Sequence, residues 1–480
     1  MRQGAVIRVP TSYEHVERVH RILWQPSRHK EVSVHNACLC NEVISLRNRV
    51  LFDTPVPDRS FVEHAKRVAH RIALYVGKHQ PADGDWIRNY TGKKRTIYEN
   101  AREDLITVPF CKGKDRYVKS FIKMEKVFDP EKDPRMIQAR NPRFNYLLGN
   151  YLKPIEHIIY NMKGKRQLRK IFPPTRCIAK CLDLRTRAQL LKRKFESIPN
   201  AICYSLDASR FDAHVNPSLL NLEHSIYKYC YSNDRLLQQL LSCQLLNRGV
   251  TSNGVRYRCP GGRMSGDMNT ALGNCLLMCI IVATCMRIMG FRAGEWEMFC
   301  DGDDTLVIIN ANRSQLFEQN FSNLFNRAGM NMKLENKSNK ISGIKFCQGC
   351  VINTADGAKF VSDPDRTLSR ALISTRHFQH PKSIGPLLRQ IGLCELAIHC
   401  GVPILQEFAL AMLRNAGNAQ IHKIQPSGRL IKAKRELYAH GGKIDPLPIT
   451  MDARLDFEEA FGIETWEQHQ LEAELRGAVF

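Results

Sequence analysis

Residues 297–309 read EMFCDGDDTLVII. Two apolar runs, each with the length and composition of a buried strand, are joined by Cys-Asp-Gly-Asp-Asp, and Asp-Gly is a favoured hairpin pair. The expectation is a core β-hairpin with Asp301, Asp303 and Asp304 crowded at its turn. Three neighbouring carboxylates repel one another, so the turn calls for a positive partner. A second acidic stretch, 207–212 DASRFD, begins where another apolar run, 201–206 AICYSL, ends. Between the two lies 265–274, SGDMNTALGN, a glycine-marked loop rich in hydroxyls and amides that leads into a helix. Were Asp207 and Asp303 to converge from neighbouring strands, their hard oxygens would suit Mg²⁺. A pair of such ions ~3.5–4 Å apart clamps the attacking and leaving oxygens of an in-line phosphoryl displacement. Divalent cations and the charge on a triphosphate would then complete the acidic turn.

The chain has 480 residues, 43% of them hydrophobic and 25% charged, the balance of a globular protein with a sizeable core. Lys and Arg number 71 against 47 Asp and Glu, a formal net charge of +24. Such self-repulsion is tolerated more easily beside a polyanion, nucleic acid first and an anionic membrane surface second. No run is expected to span a bilayer; the most apolar, 276–286, suits a buried helix. The N-terminal residues carry no signal-peptide core. The 17 cysteines follow no regular framework and point to free thiols in a reducing compartment. Cys347-Gln-Gly-Cys350 has zinc-ligand spacing but lacks a matching second pair. Alternation would put Cys38 and Cys40 on one face of a strand.

Along the chain, 57–77 reads as a helix with Phe61, Ala65, Val68, Ala69, Ile72 and Tyr75 as its apolar stripe and Gly77 as its stop. Residues 79–100 read as a loop that becomes basic. The most basic section, 112–194, has Tyr117, Phe121, Phe144, Tyr146 and Phe172 interleaved, which favours a nucleic-acid surface over a merely solvated face. Asn216-Pro217 reads as a cap followed by a first-turn proline. Further helices are expected over 270–289 and 315–327, short strands near 344–346 and 351–352, and helical patterns over 368–413. His377 and His380 fit no metal or triad pattern. From Asp452 onward there are eight acidic residues and two basic ones, Arg454 and Arg476. That tail is a capping helix or a partner site.

The order D-x4-D, SG-x3-T-x3-N and GDD, here DASRFD, SGDMNTALGN and GDD, resembles the signature of viral RNA-dependent RNA polymerases. LDASRFDAHV, GGRMSGDMNTALGNC and PRMIQARNPRFN are similar to the tombusvirus family of plant positive-strand RNA viruses, over roughly 120–350. The resemblance implies an α+β right-hand fold. Residues 1–200 would form an N-terminal region and fingers, and 201–352 a palm with an antiparallel sheet and a finger insertion near 232–262. Residues 353–480 would form a mostly helical thumb with the acidic tail. It further implies Asp207 and Asp303 as principal metal ligands with Asp304 beside them, for Mg²⁺ or Mn²⁺ in its place. Asp212, Thr270 and Asn274 would read the ribose; an acceptor and an amide can engage a 2′-OH. Ser265 would serve the nucleotide pocket and Gly266 the RNA, as a loop beside the nascent pair.

Upstream, 123–126 (KMEK) and 132–140 (KDPRMIQAR) resemble the basic fingers motif. Arg135 is the first choice for a triphosphate contact, since its planar fork matches phosphate, with Lys132 and Arg140 behind it. Lys123, Lys126 and Arg143 are assigned to RNA. Downstream, 328–337 is similar to the next palm motif and places Lys337 as the acid that protonates pyrophosphate, with Lys333 and Lys340 competing. The implied partners are RNA template and product, NTPs, an accessory replication protein and a second copy of the chain. The implied place is the cytosolic face of host membranes, with the attachment segment outside this chain or on a partner. Two alternatives remain. A reverse transcriptase would carry aromatics where Asp212 and Gly302 stand, and a non-catalytic basic RNA-binding protein would leave the three motifs without a purpose.

Overall fold

The computed structural model describes residues 1–11, 17–375, 381–420 and 445–480. His377 and His380 lie outside them, as does part of the 368–413 stretch. Among the described residues the centre is a four-stranded antiparallel sheet in the order Trp296–Asp301, Asp304–Asn310, Ala201–Ala208, Met332–Ser338. Its two middle strands are buried on both faces. Ile202, Tyr204, Leu206, Val307 and Ile309 meet a helical layer on one side. Cys203, Leu306 and Ile308 meet Ala188 and Leu191 of the Leu184–Glu196 helix, and Val351 and Phe360, on the other. This two-sided burial explains why the opening stretch is continuously apolar instead of alternating.

The helical layer comprises Arg59–Val76, Pro217–Cys230, Thr270–Ile288 and Ser314–Arg327. The first two begin at side-chain caps. Asp58 caps the first by accepting from the Phe61 amide, and Gly77 at φ 83 stops it. Asn216 caps the second, with Pro217 at its first turn. Thr270–Ile288 reaches 19 residues with a mean hydropathy of 1.9, long and apolar enough to cross a membrane, contrary to the expectation drawn from 276–286 alone. In this fold 83% of its most apolar window is inside the protein, so the apolarity is that of a helix buried all round.

A second, five-stranded sheet runs in the order Val6–Arg8, Arg256–Pro260, Leu246–Thr251, Val118–Ile122, Met136–Arg140. Strands from three distant parts of the chain meet here, and only the pairing of Val118–Ile122 with Leu246–Thr251 is parallel. Of residues 79–100, read as loop, 92–100 are helical and open the helix Gly92–Thr107. The period was hidden because only Tyr98 and Ala101 are buried, held by an aromatic cluster with Trp86 and Tyr146.

Further corrections concern cysteines and the C-terminal region. The strand expected near 351–352 is part of a hairpin, Gly349–Thr354 with Gly357–Ser362, while 344–346 forms no strand and contributes a single bridge from Phe346 to Gly349. Cys347 and Gln348 form the tight turn before it, at φ 48 and 62. All 17 cysteines are free thiols. Cys38 caps the Leu39–Ser45 helix and is buried, whereas Cys40 is exposed, so the pair does not share a strand face. The acidic tail forms two helices, Met451–Phe461 and Thr465–Gly477, that cap a C-terminal core through Ala453, Phe457, Leu471 and Leu475. Its carboxylates also meet the basic chain: Glu467 pairs with Arg28 at 2.6 Å and Glu459 with Lys340 at 2.9 Å.

Candidate active site

The acidic residues gather at one end of the central sheet. Asp301 and Asp304 close the hairpin as a cross-strand pair, leaving Gly302 and Asp303 as its two-residue turn. Gly302 has φ 83, which a side chain would oppose, at the position where a II′ hairpin turn takes glycine. Its amide donates to Cys275 Sγ at 3.2 Å, docking the turn on the start of the buried 270–288 helix. Thr305 pairs with Leu206, so Asp207 lies one step beyond, at the same sheet end as Asp304. Asp207 and Asp303 thus converge on one sheet end instead of facing separate surfaces.

The protein answers only part of the turn's charge. Asp301 binds Lys180 at 2.5 Å and Arg187 at 2.7 Å. Burial pushes its carboxyl up, but the two cations outweigh burial and hold it below the usual range. Asp304 has no such counter-charge: burial, then Asp303, Asp207, Asp301 and Glu335, push its pKa up to about 6. Asp303 presents surface to solvent, yet the dense protein around its carboxyl and the charges of Asp212 and Asp207 raise it; Arg135 opposes them. Burial likewise raises Asp212, against Asn274, Arg263, Arg135 and Arg49. Glu335, beside the bulge between Leu334 and Asn336, is raised by burial and by Asp207. It is a sixth carboxylate, which the sequence reading missed because a bulge resets strand alternation.

These carboxylates fit a divalent cation by donor chemistry: hard oxygens, mutually repelling and kept partly dry. Among the described residues no three His, Cys, Asp or Glu side chains form a preassembled cage. Mg²⁺ does not need one, since it commonly takes one or two carboxylates and completes its shell with water and substrate phosphates. Burial and mutual repulsion together have a measurable cost. Asp304 has a folded pKa of about 6 against about 4 unfolded, so its ionisation opposes folding. That penalty is absent below pH ~4, grows as pH rises to ~6 and is complete above it. Asp304→Asn should therefore stabilise the metal-free chain at pH 7 by about 2 kcal/mol and leave it unchanged near pH 4. Denaturant midpoints at the two pH values check this.

The other sequence-selected residues separate into those that face the acidic centre and those that are tied up elsewhere. Arg135 is 57% exposed, lies 3.6 Å from Glu125 and acts on both Asp303 and Asp212. Lys132 acts on Glu335. Arg49 and Arg210, not selected from sequence, join this cationic side: Arg49 feels both Arg135 and Arg210. Arg210 binds Asp133 at 2.9 Å and stacks over Phe52. Arg140, in contrast, is fully buried, with Nε 2.6 Å from Asp267, Nη2 on Asn247 and Nη1 on the Arg116 carbonyl. It has no free edge for a triphosphate. Arg143 is spent on Asp115 and on the carbonyls of Val108 and Pro109. Lys126 reaches the Arg370 carbonyl, and Lys123 pairs with Glu125 at 2.9 Å.

The glycine-marked loop is strapped to the second sheet. Gln138 N donates to Ser265 Oγ at 3.0 Å, and Gly266 N donates to the Gln138 carbonyl at 2.9 Å. Thr270 Oγ1 closes the loop on the Met264 and Asp267 carbonyls. Asn274 Nδ2 donates to Asp212 Oδ1 at 2.9 Å, joining the helix start to the second acidic stretch. Lys337 pairs in register with Tyr204, whose side chain packs into the helical layer, and its Nζ binds Glu318 at 2.7 Å. Alternation puts Asp207 on the other face, so Lys337 points away from the acidic centre. Lys340 is held by Glu459. Lys333 is the residue paired directly with Asp207.

An antiparallel sheet ends here in carboxylates only partly answered by cations, with Arg135, Arg49 and Arg210 beside them, in an α+β protein. The chain belongs to the viral RNA-dependent RNA polymerase family, whose model matches residues 6–479. Proteins named RNA-directed RNA polymerase are similar over most of it. That of carnation mottle virus is 34% identical across 98% of this chain and 59% of its own length. That of turnip crinkle virus is 31% identical across 92% and 57%, and that of melon necrotic spot virus 30% across 92% and 56%. These are viruses of the tombusvirus family, in agreement with the motif resemblance. The chain spans less than two thirds of each of these relatives.

Proposed function

We propose that this chain carries out RNA-templated RNA synthesis, joining nucleoside triphosphates to a growing RNA 3′ end. The observation that carries the proposal is the convergence of Asp207, Asp303 and Asp304 at one sheet end, where burial and then the neighbouring carboxylates push the Asp304 pKa up to about 6. The four-stranded sheet would be the palm, the five-stranded sheet with 232–262 the fingers, and the C-terminal helices the thumb. Asp207 and Asp303, with Asp304 beside them, would hold Mg²⁺, or Mn²⁺ in its place. When bound, the ions supply charge for the triphosphate and acidify the attacking hydroxyl.

The chain's own groups would do the rest. Arg135 and Lys132 would receive the triphosphate, with Arg49 and Arg210 beside them in the same field. Asp212 and Asn274 would hold the ribose by its 2′-OH. The 3′-hydroxyl gives its proton to solvent as its oxygen bonds to the α-phosphorus and the bond to the β-phosphate oxygen breaks, and the leaving pyrophosphate takes up a proton. Because Lys337 is bound to Glu318 on the far face, Lys333 is the better proton donor. Lys337→Ala should leave the incorporation rate within about twofold, whereas Lys333→Ala should slow it roughly a hundredfold, the low end of general-acid help. Single-turnover incorporation compares them.

The decisive experiment is Mg²⁺-dependent incorporation of labelled nucleotide by the purified chain on an RNA template, with NTPs against dNTPs. Incorporation of NTPs alone supports the proposal. A preference for dNTPs would mean a reverse transcriptase, and no incorporation a binding protein. Attachment to the cytosolic face of host membranes through a viral replication partner, and self-association, belong to the same proposal. Flotation of the chain with and without that partner tests the first.

A further inference from the structure

A buried charged pair stands behind the ribose-facing side chains. Arg263 and Glu223 have 1% and 0% side-chain exposure and are bound to each other through Arg263 Nη2. Arg263 Nε donates to Asn274 Oδ1 at 3.0 Å, on the amide whose Nδ2 donates to Asp212. A guanidinium can only donate. It therefore obliges the Asn274 carbonyl to face it and the amide NH₂ to face Asp212. Glu223 is itself fixed, accepting from Asn269 Nδ2 at 2.7 Å and from the Tyr227 hydroxyl at 2.9 Å. Room for the pair comes from Gly273: a Cβ there would lie 2.4 Å from Glu223 Oε1 and 2.5 Å from Arg263 Nη2. Burying two charges is costly, and such a pair is weak evidence for stability alone. What it secures here is a direction, since every member is satisfied and the last one aims Asp212.

We propose that Arg263, held by Glu223, is a positioning residue for sugar selection: it locks the Asn274 amide so that Asp212 presents its acceptor oxygen to the nucleotide 2′-OH. This rests on the polymerase proposal above. Arg263 is buried behind Asn274, so its loss should appear in the choice between NTP and dNTP more than in turnover.

The test uses the full chain and the ratio of kcat/KM for an NTP to that for its 2′-deoxy analogue. Arg263→Lys keeps the charge but cannot grip Glu223 and reach Asn274 in one plane. The ratio should fall roughly tenfold, the size of one hydrogen bond to a charged group, mostly through KM for the NTP. Glu223→Gln keeps the shape and the contact to Asn269 and should fall in the same direction; it carries the test where Arg263→Lys does not fold, as melting would reveal. An unchanged ratio in either folded variant overturns the inference. Wild-type chain that incorporates nothing, or ignores the sugar, overturns the polymerase or ribose assignment instead, so the two failures are distinguishable.

Discussion

Asp303→Asn should lower nucleotide incorporation by at least roughly a thousandfold while RNA affinity stays within about twofold of wild type. Asn is nearly isosteric with Asp and should suit the same turn, since the position that needs a positive φ is Gly302. What changes is charge. Asp303 sits among Asp212, Asp207 and Asp304, and removing one negative charge relieves repulsion, so the variant should fold at least as well as the parent. RNA affinity, in contrast, would come from neutralising phosphates with Lys and Arg of a chain of net charge +24 and would hardly involve this residue. Rapid-quench incorporation and fluorescence anisotropy on a labelled RNA read the two quantities separately. Normal extension by the folded variant would remove Asp303 from the metal site. Asp301→Asn is an instructive contrast, because Asp301 is already neutralised by Lys180 and Arg187. It should lose stability, since it leaves two cations without their carboxylate.

The contrast marks where sequence was informative. The hairpin, its acidic turn and the strand over 201–206 were legible because strand length, apolar run and turn chemistry agree locally. Which of the three turn carboxylates is satisfied was not legible. Lys180 and Arg187 lie more than a hundred residues from Asp301 and come to it through the bridge of Ile178 to Cys300 and the packing of 184–196 on the sheet. The basic 112–194 section shows the same limit. Spacing does not distinguish Arg135, which faces the acidic centre, from Arg140, which a half-turn of strand and a buried Asp267 take inside. Lys337 was misplaced for a related reason: in a strand, one residue decides the face, and the bulge after Leu334 shifts the count.

Arg140→Met supplies the second large effect, on stability instead of chemistry. Its guanidinium is fully buried and Asp267 is 2% exposed, so removing the cation leaves a carboxylate in the interior whose remaining partner is Gln244. Breaking such a pair from one side costs about 3–5 kcal/mol. A guanidinium titration should show a correspondingly lower midpoint. The opposite pattern is expected of Arg135→Ala. That side chain is largely exposed, with a loose 3.6 Å contact to Glu125, so the midpoint should hardly move while KM for NTPs rises about tenfold. If Arg140 were a triphosphate ligand, as its neighbours in sequence suggest, Arg140→Met would behave like Arg135→Ala. Replacing both partners, Arg140→Met with Asp267→Leu, should restore part of the lost stability, because the uncompensated charge is gone. Incomplete recovery is expected even then, since Arg140 also satisfies Asn247 and the Arg116 carbonyl, and through Asp267 it anchors the loop that leads to Asn274.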